Sequence, residues 1–332
     1  RTGLRIRQEL EAMVRDRVIC GFSLAFVRPQ SADLFYHGVM GSIAPYNSRP
    51  VKKGLYYDLA SLSKVVGTAS RILQLAEAGE LSLDSPVSRL LPRYSGNAAT
   101  IGQLLLHTSG LPAEIPDKCH LTRDNFYDCL YDTAPVAKPG EQMIYSDVGY
   151  ILLGLILQKG AGLNEPEQLG ESLRRHVFAP LNMTHTSFPV PELASFCLPT
   201  ELTKNRGLIC GEIHDSKAWL LGQSGSAGLF STLEDLVCFA QAYLTESKRL
   251  FSKKTFRLIR ETEQFGRTYG WSKEYGSETL YHTGFTGTSL LLDYNRSEAM
   301  LLLTNRIHPS RDNSLFLEKR KELNQLWLKG SR

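Results

Sequence analysis

The chain has 332 residues, 42% of them hydrophobic and 22% charged, enough to bury one large core or two intimate subdomains. Its 38 Lys+Arg against 34 Asp+Glu leave a net charge of +4, a weak surplus for a protein that coats a polyanion, so nucleic acid is not the expected partner. No C-x-x-C, no H-E-x-x-H and no Gly-rich phosphate loop occurs, so neither a metal nor a nucleotide cofactor is implied.

Residues 4–18 set Leu4, Ile6, Leu10, Met13, Val14 and Val18 near helical spacing and predict a helix. The strand-like runs "ICGFSLAFVRP" and "ADLFYHGVM" follow around a polar turn. From about 61 to 240 the pattern is mostly helical. "KVVGTASRILQLAEAG" ends at a glycine, "TIGQLLLHTSG" is short, and "DVGYILLGLILQKGAG" closes on a glycine-rich stop. Within it "VGYILLGLIL" at 148–157 is about half of a bilayer-spanning helix, so it reads as a core helix and no transmembrane segment is expected. "STLEDLVCFAQAYL" at 231–244 opens with Ser231-x-x-Glu234, the pattern of a capping box. "KRLFSKKTFRLIR" at 248–260 interleaves Leu250, Phe251, Phe256, Leu258 and Ile259 with its charges, the solvated face of an amphipathic helix. "TLYHTGFT", "TSLLLDY" and "EAMLLLTN" add three strands before a last helix from about 312.

The expected fold is therefore α+β, a single domain over 1–332. An antiparallel sheet of five strands comes from about 1–60 and 241–332, with a mostly helical insertion at about 61–240. Cys20, Cys119, Cys129, Cys197, Cys210 and Cys238 are read as buried free thiols. The start lacks an apolar signal core, yet a chain beginning with Arg can have been trimmed. Both a periplasmic or cell-surface location and a cytoplasmic one stay open.

The chemistry concentrates in "DLASLSKVVGT" at 58–68. Ser61 precedes Lys64 by three positions, which puts the two on one helix face, whereas Ser63 points elsewhere. Lys64 is the one lysine of the chain with a serine three positions before it. A serine becomes a nucleophile when a base takes its proton, and a desolvated lysine can do so. The bland alternative is a helix cap beside a solvated ammonium, but the apolar setting "LASLSKVV" would bury Lys64.

Two more stretches join it: Tyr145-Ser146-Asp147 before the apolar helix, and His282-Thr283-Gly284 on a strand. These three motifs in this order resemble the serine β-lactamase and penicillin-binding protein superfamily, specifically its class C-like serine hydrolases. "LLLHTSGLP", "HDSKAWLLG", "SAGLFST" and "LLLTNRIHPSR" extend the resemblance over essentially the whole chain. It implies a β-lactamase/DD-peptidase-like fold and acyl transfer to water through a Ser61 ester. Lys64 and Tyr145 would handle the proton, and the Ser61 and Phe285 N–H groups would form the oxyanion hole. Asp147, His282, Thr283, Gly284 and Phe285 would bind substrate, with Gly284 letting its backbone approach.

Two positions depart from the family pattern. Asp147 replaces an asparagine and can only accept hydrogen bonds, so it should prefer a substrate N–H or Lys64. His282 replaces a lysine, and with an ordinary pKa near 6.5 it would be charged only part of the time near neutral pH. Both changes favour small esters or D-amino-acid peptides of cell-wall type over efficient β-lactam hydrolysis. A small molecule or peptide is thus the expected partner, with no oligomeric state assigned. Competing readings are a non-catalytic penicillin-binding-type module that captures a cell-wall ligand, and a Ser-His-Asp hydrolase using His107 or His214. Ser224 and Ser226 in "GQSGSAG" fail the G-x-S-x-G elbow.

Overall fold

The computed structural model describes residues 1–159 and 168–330. Its centre is an antiparallel sheet of β1 (Gly21–Arg28), β2 (Ser31–Gly38), β3 (Thr279–Gly284), β4 (Thr288–Asp293) and β5 (Glu298–Leu303). The spatial order is β2-β1-β5-β4-β3, so the two ends of the chain meet at the β1–β5 ladder, where Ser23 faces Leu303 and Val27 faces Ala299. Each remaining neighbour is joined by a hairpin, as short antiparallel connections allow.

Both faces of this sheet are covered, which is why β4 is buried at all six positions. Period-two alternation sorts the side chains. Phe22, Leu24, Leu291, Met300 and Leu302 pack with Ile6, Leu10 and Met13 of α1 (Thr2–Arg15), and with Phe316, Leu323 and Trp327 of a C-terminal helix, Ser314–Lys329. Ala25, Val27, Leu290, Leu292, Leu301 and Leu303 join the larger core on the other side. Each of these large side chains contributes about 1.5–3 kcal/mol by leaving water.

The middle supplies α2 (Ala69–Glu77), α3 (Ile101–Leu106), α4 (Asp147–Gln158), α5 (Ser216–Leu221), α6 (Leu233–Leu244) and α7 (Lys253–Glu261). α4 is buried from Asp147 through Leu157, as a helix apolar all round must be. The glycine-rich stop expected after it, Gly160 to Gly162, lies outside the described residues. Among the described residues no helix is long and apolar enough to cross a membrane. α7 buries Thr255, Phe256 and Ile259 and turns its basic residues outward, while Leu258 stays partly exposed.

Several local expectations are corrected. The helical middle also contains a hairpin, Pro199–Thr203 with Gly207–Cys210, and a short pair, Tyr57–Asp58 with Phe230–Ser231. Because Ser231 belongs to that pair, the α6 cap moves to Thr232, whose Oγ1 accepts from the Asp235 N–H at 3.2 Å. Glu234 instead accepts from Tyr36 Oη and the Gly54 N–H. The thiols are not all free: Cys119 and Cys129 form a disulfide, since the chain between them folds back and brings their Cα atoms to 6.0 Å. Cys197 is buried, and Cys20, Cys210 and Cys238 are half-buried free thiols.

Candidate active site

Ser61 stands on a strained turn beside the sheet edge. Ala60 has φ +49°, left-handed for a residue with a Cβ, and its N–H is held by Asp58 Oδ1 at 2.8 Å. Asp58 is buried, and its other oxygen accepts the His214 N–H at 2.9 Å, while burial raises its pKa. Leu59 O accepts from Thr288 Oγ1 and Asp58 O from Thr286 Oγ1, which ties the turn to the β3–β4 hairpin. The expected helix start is composite: a three-residue 3-10 turn at Ala60–Leu62, then a π turn at Lys64–Thr68, then α2. π turns of this kind concentrate at functional sites.

The turn puts Lys64 Nζ 2.8 Å from Ser61 Oγ, with Lys64 completely buried. Ser63 faces away, its hydroxyl accepting from the Leu229 N–H. Lys64 also donates to Ser226 O at 2.8 Å and pairs with Asp147 Oδ1 at 2.8 Å, so its three N–H groups each have an acceptor. Burial alone would lower its pKa, but Asp147 and then Tyr145 outweigh it and push the ammonium up to about 12.

Asp147 and Tyr145 are fixed by the start of α4. Ser146 caps that helix through the Gly149 N–H, donates to Pro112 O at 2.7 Å, and gives its own N–H to His107 Nδ1 at 2.9 Å. His107 lies tilted against Tyr145 with ring centroids 4.3 Å apart, and Lys64 Nζ lies 4.9 Å from the Tyr145 ring centre. Burial, reinforced by Arg267 and Lys64, holds the His107 imidazole well below its usual pKa. Burial would raise the Asp147 carboxyl, but Lys64 and Lys217 lower it.

The other wall is β3. His282 is buried and its Nδ1–H donates to Thr283 O at 2.8 Å, leaving Nε2 without a partner. Burial, then Arg267 and Lys64, keep this ring neutral, correcting the expectation of part-time charge near pH 7. Gly284 carries a second constraint besides the expected approach of a substrate backbone. A Cβ there would collide with Leu59 O and Thr288 Oγ1, so the missing side chain makes room for the nucleophile turn. Phe285 is half-exposed, stacks on His214 at 5.8 Å, and lies under the Arg306 and Arg311 guanidiniums.

Ser61, Tyr145, Asp147, Thr283 and Phe285 line one cleft of about 450 Å³ with Glu114, His214, Asp215, Lys217 and Arg311. A larger groove of about 890 Å³, between the end of α2 and α7, carries none of the Ser61 cluster. The motif residues are therefore together, with His282 behind the wall, lining an adjoining cavity of about 280 Å³. His107 and His214 are hydrogen-bonded structural neighbours, His214 pairing with Glu201 at 3.0 Å. Ser224 and Ser226 bond each other in the interior.

Motif reading missed four participants. Asp58 and Lys217 lie inside quoted stretches but carry no motif role. Ser226 acts through its carbonyl, which no side-chain pattern reveals. Arg267 belongs to no motif: it is buried, its Nη2 donates to Gly270 O at 3.3 Å, its Nε has no partner, and its Cζ lies 5.5 Å from the Tyr145 ring centre. Among the described residues, no group of three His, Cys, Asp or Glu side chains is placed to hold a metal ion.

A family model described as Beta-lactamase matches residues 6–323. An Escherichia coli (strain K12) protein bearing the name "Putative D-alanyl-D-alanine carboxypeptidase" is 26% identical over 93% of this chain and 85% of its own. An N-acetylmuramyl-L-alanine amidase of Bacillus subtilis (strain 168) is 27% identical over 78% of this chain and 69% of its own. Among solved structures, a β-lactamase/D-alanine carboxypeptidase from Pseudomonas syringae superposes with a TM-score of 0.78 at 18% identity, covering 100% of this chain and 99% of that one. EstCE1, a hydrolase with promiscuous acyltransferase activity, gives 0.77 at 20% identity, covering 97% and 98%.

Proposed function

The chain belongs to the β-lactamase family, and from that premise we propose that it is a serine hydrolase acting through an acyl-enzyme on Ser61. The observation that carries this reading is the 2.8 Å contact between Ser61 Oγ and a completely buried Lys64. Lys64, as the cation that Asp147 and Tyr145 favour, holds the serine oxygen and the charge that develops next to it. Tyr145, beside both His107 and Lys64, relays the proton: its Oη accepts the Ser61 proton and gives up its own hydroxyl proton as Oγ bonds the substrate carbonyl carbon. That proton passes to the leaving amine or alkoxide as its bond to carbon breaks. Water then attacks the ester by the reverse route, returning the proton to Ser61. The Ser61 and Phe285 N–H groups receive the oxyanion.

The substrates are D-amino-acid peptides of cell-wall type or small esters. The names of the E. coli and B. subtilis relatives support a peptidoglycan-derived amide, and EstCE1, a hydrolase with acyltransferase activity, supports acyl transfer on this fold. A neutral His282 offers no fixed charge to a β-lactam carboxylate, so β-lactams are at most poor substrates. The Cys119–Cys129 disulfide supports an oxidising compartment, where such substrates occur. The test is turnover of a D-Ala-D-Ala-ended peptide and a p-nitrophenyl ester by wild type and Ser61→Ala. Release that vanishes in the variant is the expected result; a wild type that turns over neither, or an active variant, overturns the reading.

A further inference from the structure

Lys217 lies in the cleft wall on α5, within the "HDSKAW" stretch, and the mechanism above does not use it. Its ammonium meets three carboxylates: it touches Glu114, and lies 3.5 Å from both Asp147 Oδ2 and Asp215 Oδ2. All three hold it, Glu114 by the shortest contact and Asp215 by the strongest field, but neither of these two touches Lys64. The Glu114 side chain is 55% exposed, where water screens the pair, and Asp215 uses its other oxygen to cap α5 through the Ala218 N–H. Asp147 is different: its carboxylate is nearly buried and lies between two lysines, Oδ1 on Lys64 and Oδ2 on Lys217.

We propose that Lys217 is a positioning residue that shares the Asp147 carboxylate with Lys64 and so leaves the Lys64 charge available to Ser61. The inference rests on the acyl-enzyme reading. Its physical basis is the asymmetry between a carboxylate and the amide that the family pattern places there. An asparagine presents one acceptor oxygen and no charge, so it can hold Lys64 without neutralising it. Asp147 brings a full negative charge 2.8 Å from Lys64 in a water-poor site, where opposite charges attract strongly. With no second cation, Lys64 and Asp147 close into a neutral pair and Ser61 loses its partner. Lys217 is the compensation for an aspartate at this position, and the two residues act as a unit.

The groups facing Lys64 are Ser61 and Ser226 O, Asp147, Tyr145 and Tyr150 around α4, with His107 and His282 farther off, and those facing Asp147 from the Lys217 side are Glu114 and Asp215. Lys217→Met removes a positive charge beside Asp147, whose carboxyl it helps to lower, so the acid limb of the pH–rate profile moves to higher pH. Lys217→Arg keeps the charge and the wild-type limb.

The experiment is a double-mutant cycle read as the second-order rate of phosphonylation by a fluorophosphonate, with Ser61→Ala as the blank. Lys217→Met should slow the wild type by about tenfold or more and the Asp147→Asn variant by less than about twofold, which is coupling in the range contacting residues show. Equal losses in both backgrounds would mean that Lys217 only braces α5 through Glu114 and Asp215, and would overturn the inference. So would a Lys217→Met protein with wild-type rate or an unmoved acid limb. A wild type without a Ser61 adduct defeats the acyl-enzyme reading itself, which separates the two failures.

Discussion

Tyr145 divides the site into two unlike halves. On the Lys64 side polar groups are paired: the ammonium gives its three N–H groups to Ser61, Ser226 and Asp147, and Asp147 has two lysines. On the opposite side, three buried nitrogens have no partner, His107 Nε2, His282 Nε2 and Arg267 Nε. Buried polar atoms find a partner nearly everywhere in folded proteins, so three nitrogens that meet no protein partner set this side apart. The contrast teaches that one half fixes the nucleophile before substrate arrives, while the other holds unspent hydrogen-bonding capacity around the tyrosine.

The largest effect should come from the paired half. Lys64→Met strands Asp147 without its nearest cation, and breaking a buried pair costs about 3–5 kcal/mol of stability. Denaturant unfolding measures that loss, and phosphonylation should fall by about a thousandfold or more. Adding Asp147→Asn should recover much of the stability and none of the rate. Stability left unrecovered would break the claim that the carboxylate is the stranded group.

Gly284→Ala tests the seam that aligns the halves. Its Cβ meets Leu59 O, so β3 and the Ser61 turn must separate, at about 1–3 kcal/mol for overpacking, and acylation should slow about a hundredfold. Wild-type kinetics would show that the seam does not align the site.

Arg267→Met sharpens the comparison by having opposite signs. Removing a buried guanidinium that has one backbone acceptor and no carboxylate partner among the described residues should leave stability within about 1 kcal/mol of wild type or raise it, because a desolvated charge is costly. Phosphonylation should drop by about tenfold or more through loss of the cation beside Tyr145. A variant that unfolds easily yet reacts normally would make Arg267 a structural brace.

The smallest effect is a pH dependence of the unpaired half. Both imidazoles are held well below their unfolded pKa near 6.5, so each takes up a proton on unfolding. Their contribution to stability is therefore full above that pH and is lost as pH falls below about 6.5 toward the depressed native values. Thermal unfolding between pH 7.5 and 5 should show the decline, shallower in His282→Gln. An equal slope in the variant would mean that His282 is not buried neutral.

The legibility of the sequence follows the same division. Ser61 and Lys64 could be read because their three-residue spacing puts them on one face, Tyr145 and Asp147 because their motif resembles that of the family, and the five strands because alternation and turns encode them. The Ser226 carbonyl could not, since any residue supplies one. Arg267 could not, because its burial comes from the turn before β3 rather than from local pattern. The α6 cap shifted by one residue when Ser231 was taken by a two-residue strand, a tertiary demand that local propensity does not register. The Cys119–Cys129 pair escaped because a spacing of ten residues signals no bridge until the chain turns back. The packing constraint on Gly284 escaped for a related reason: the collision it avoids is with a segment more than two hundred residues away.

The most direct test of the central claim is intact-protein mass spectrometry after incubation with a fluorophosphonate, comparing wild type with Ser61→Ala. A single adduct on the wild type, mapped to Ser61 and absent from the variant, is the predicted result. No added mass on the wild type, or an adduct that persists in Ser61→Ala, would contradict an activated Ser61 and leave a cell-wall ligand-capturing module as the better account.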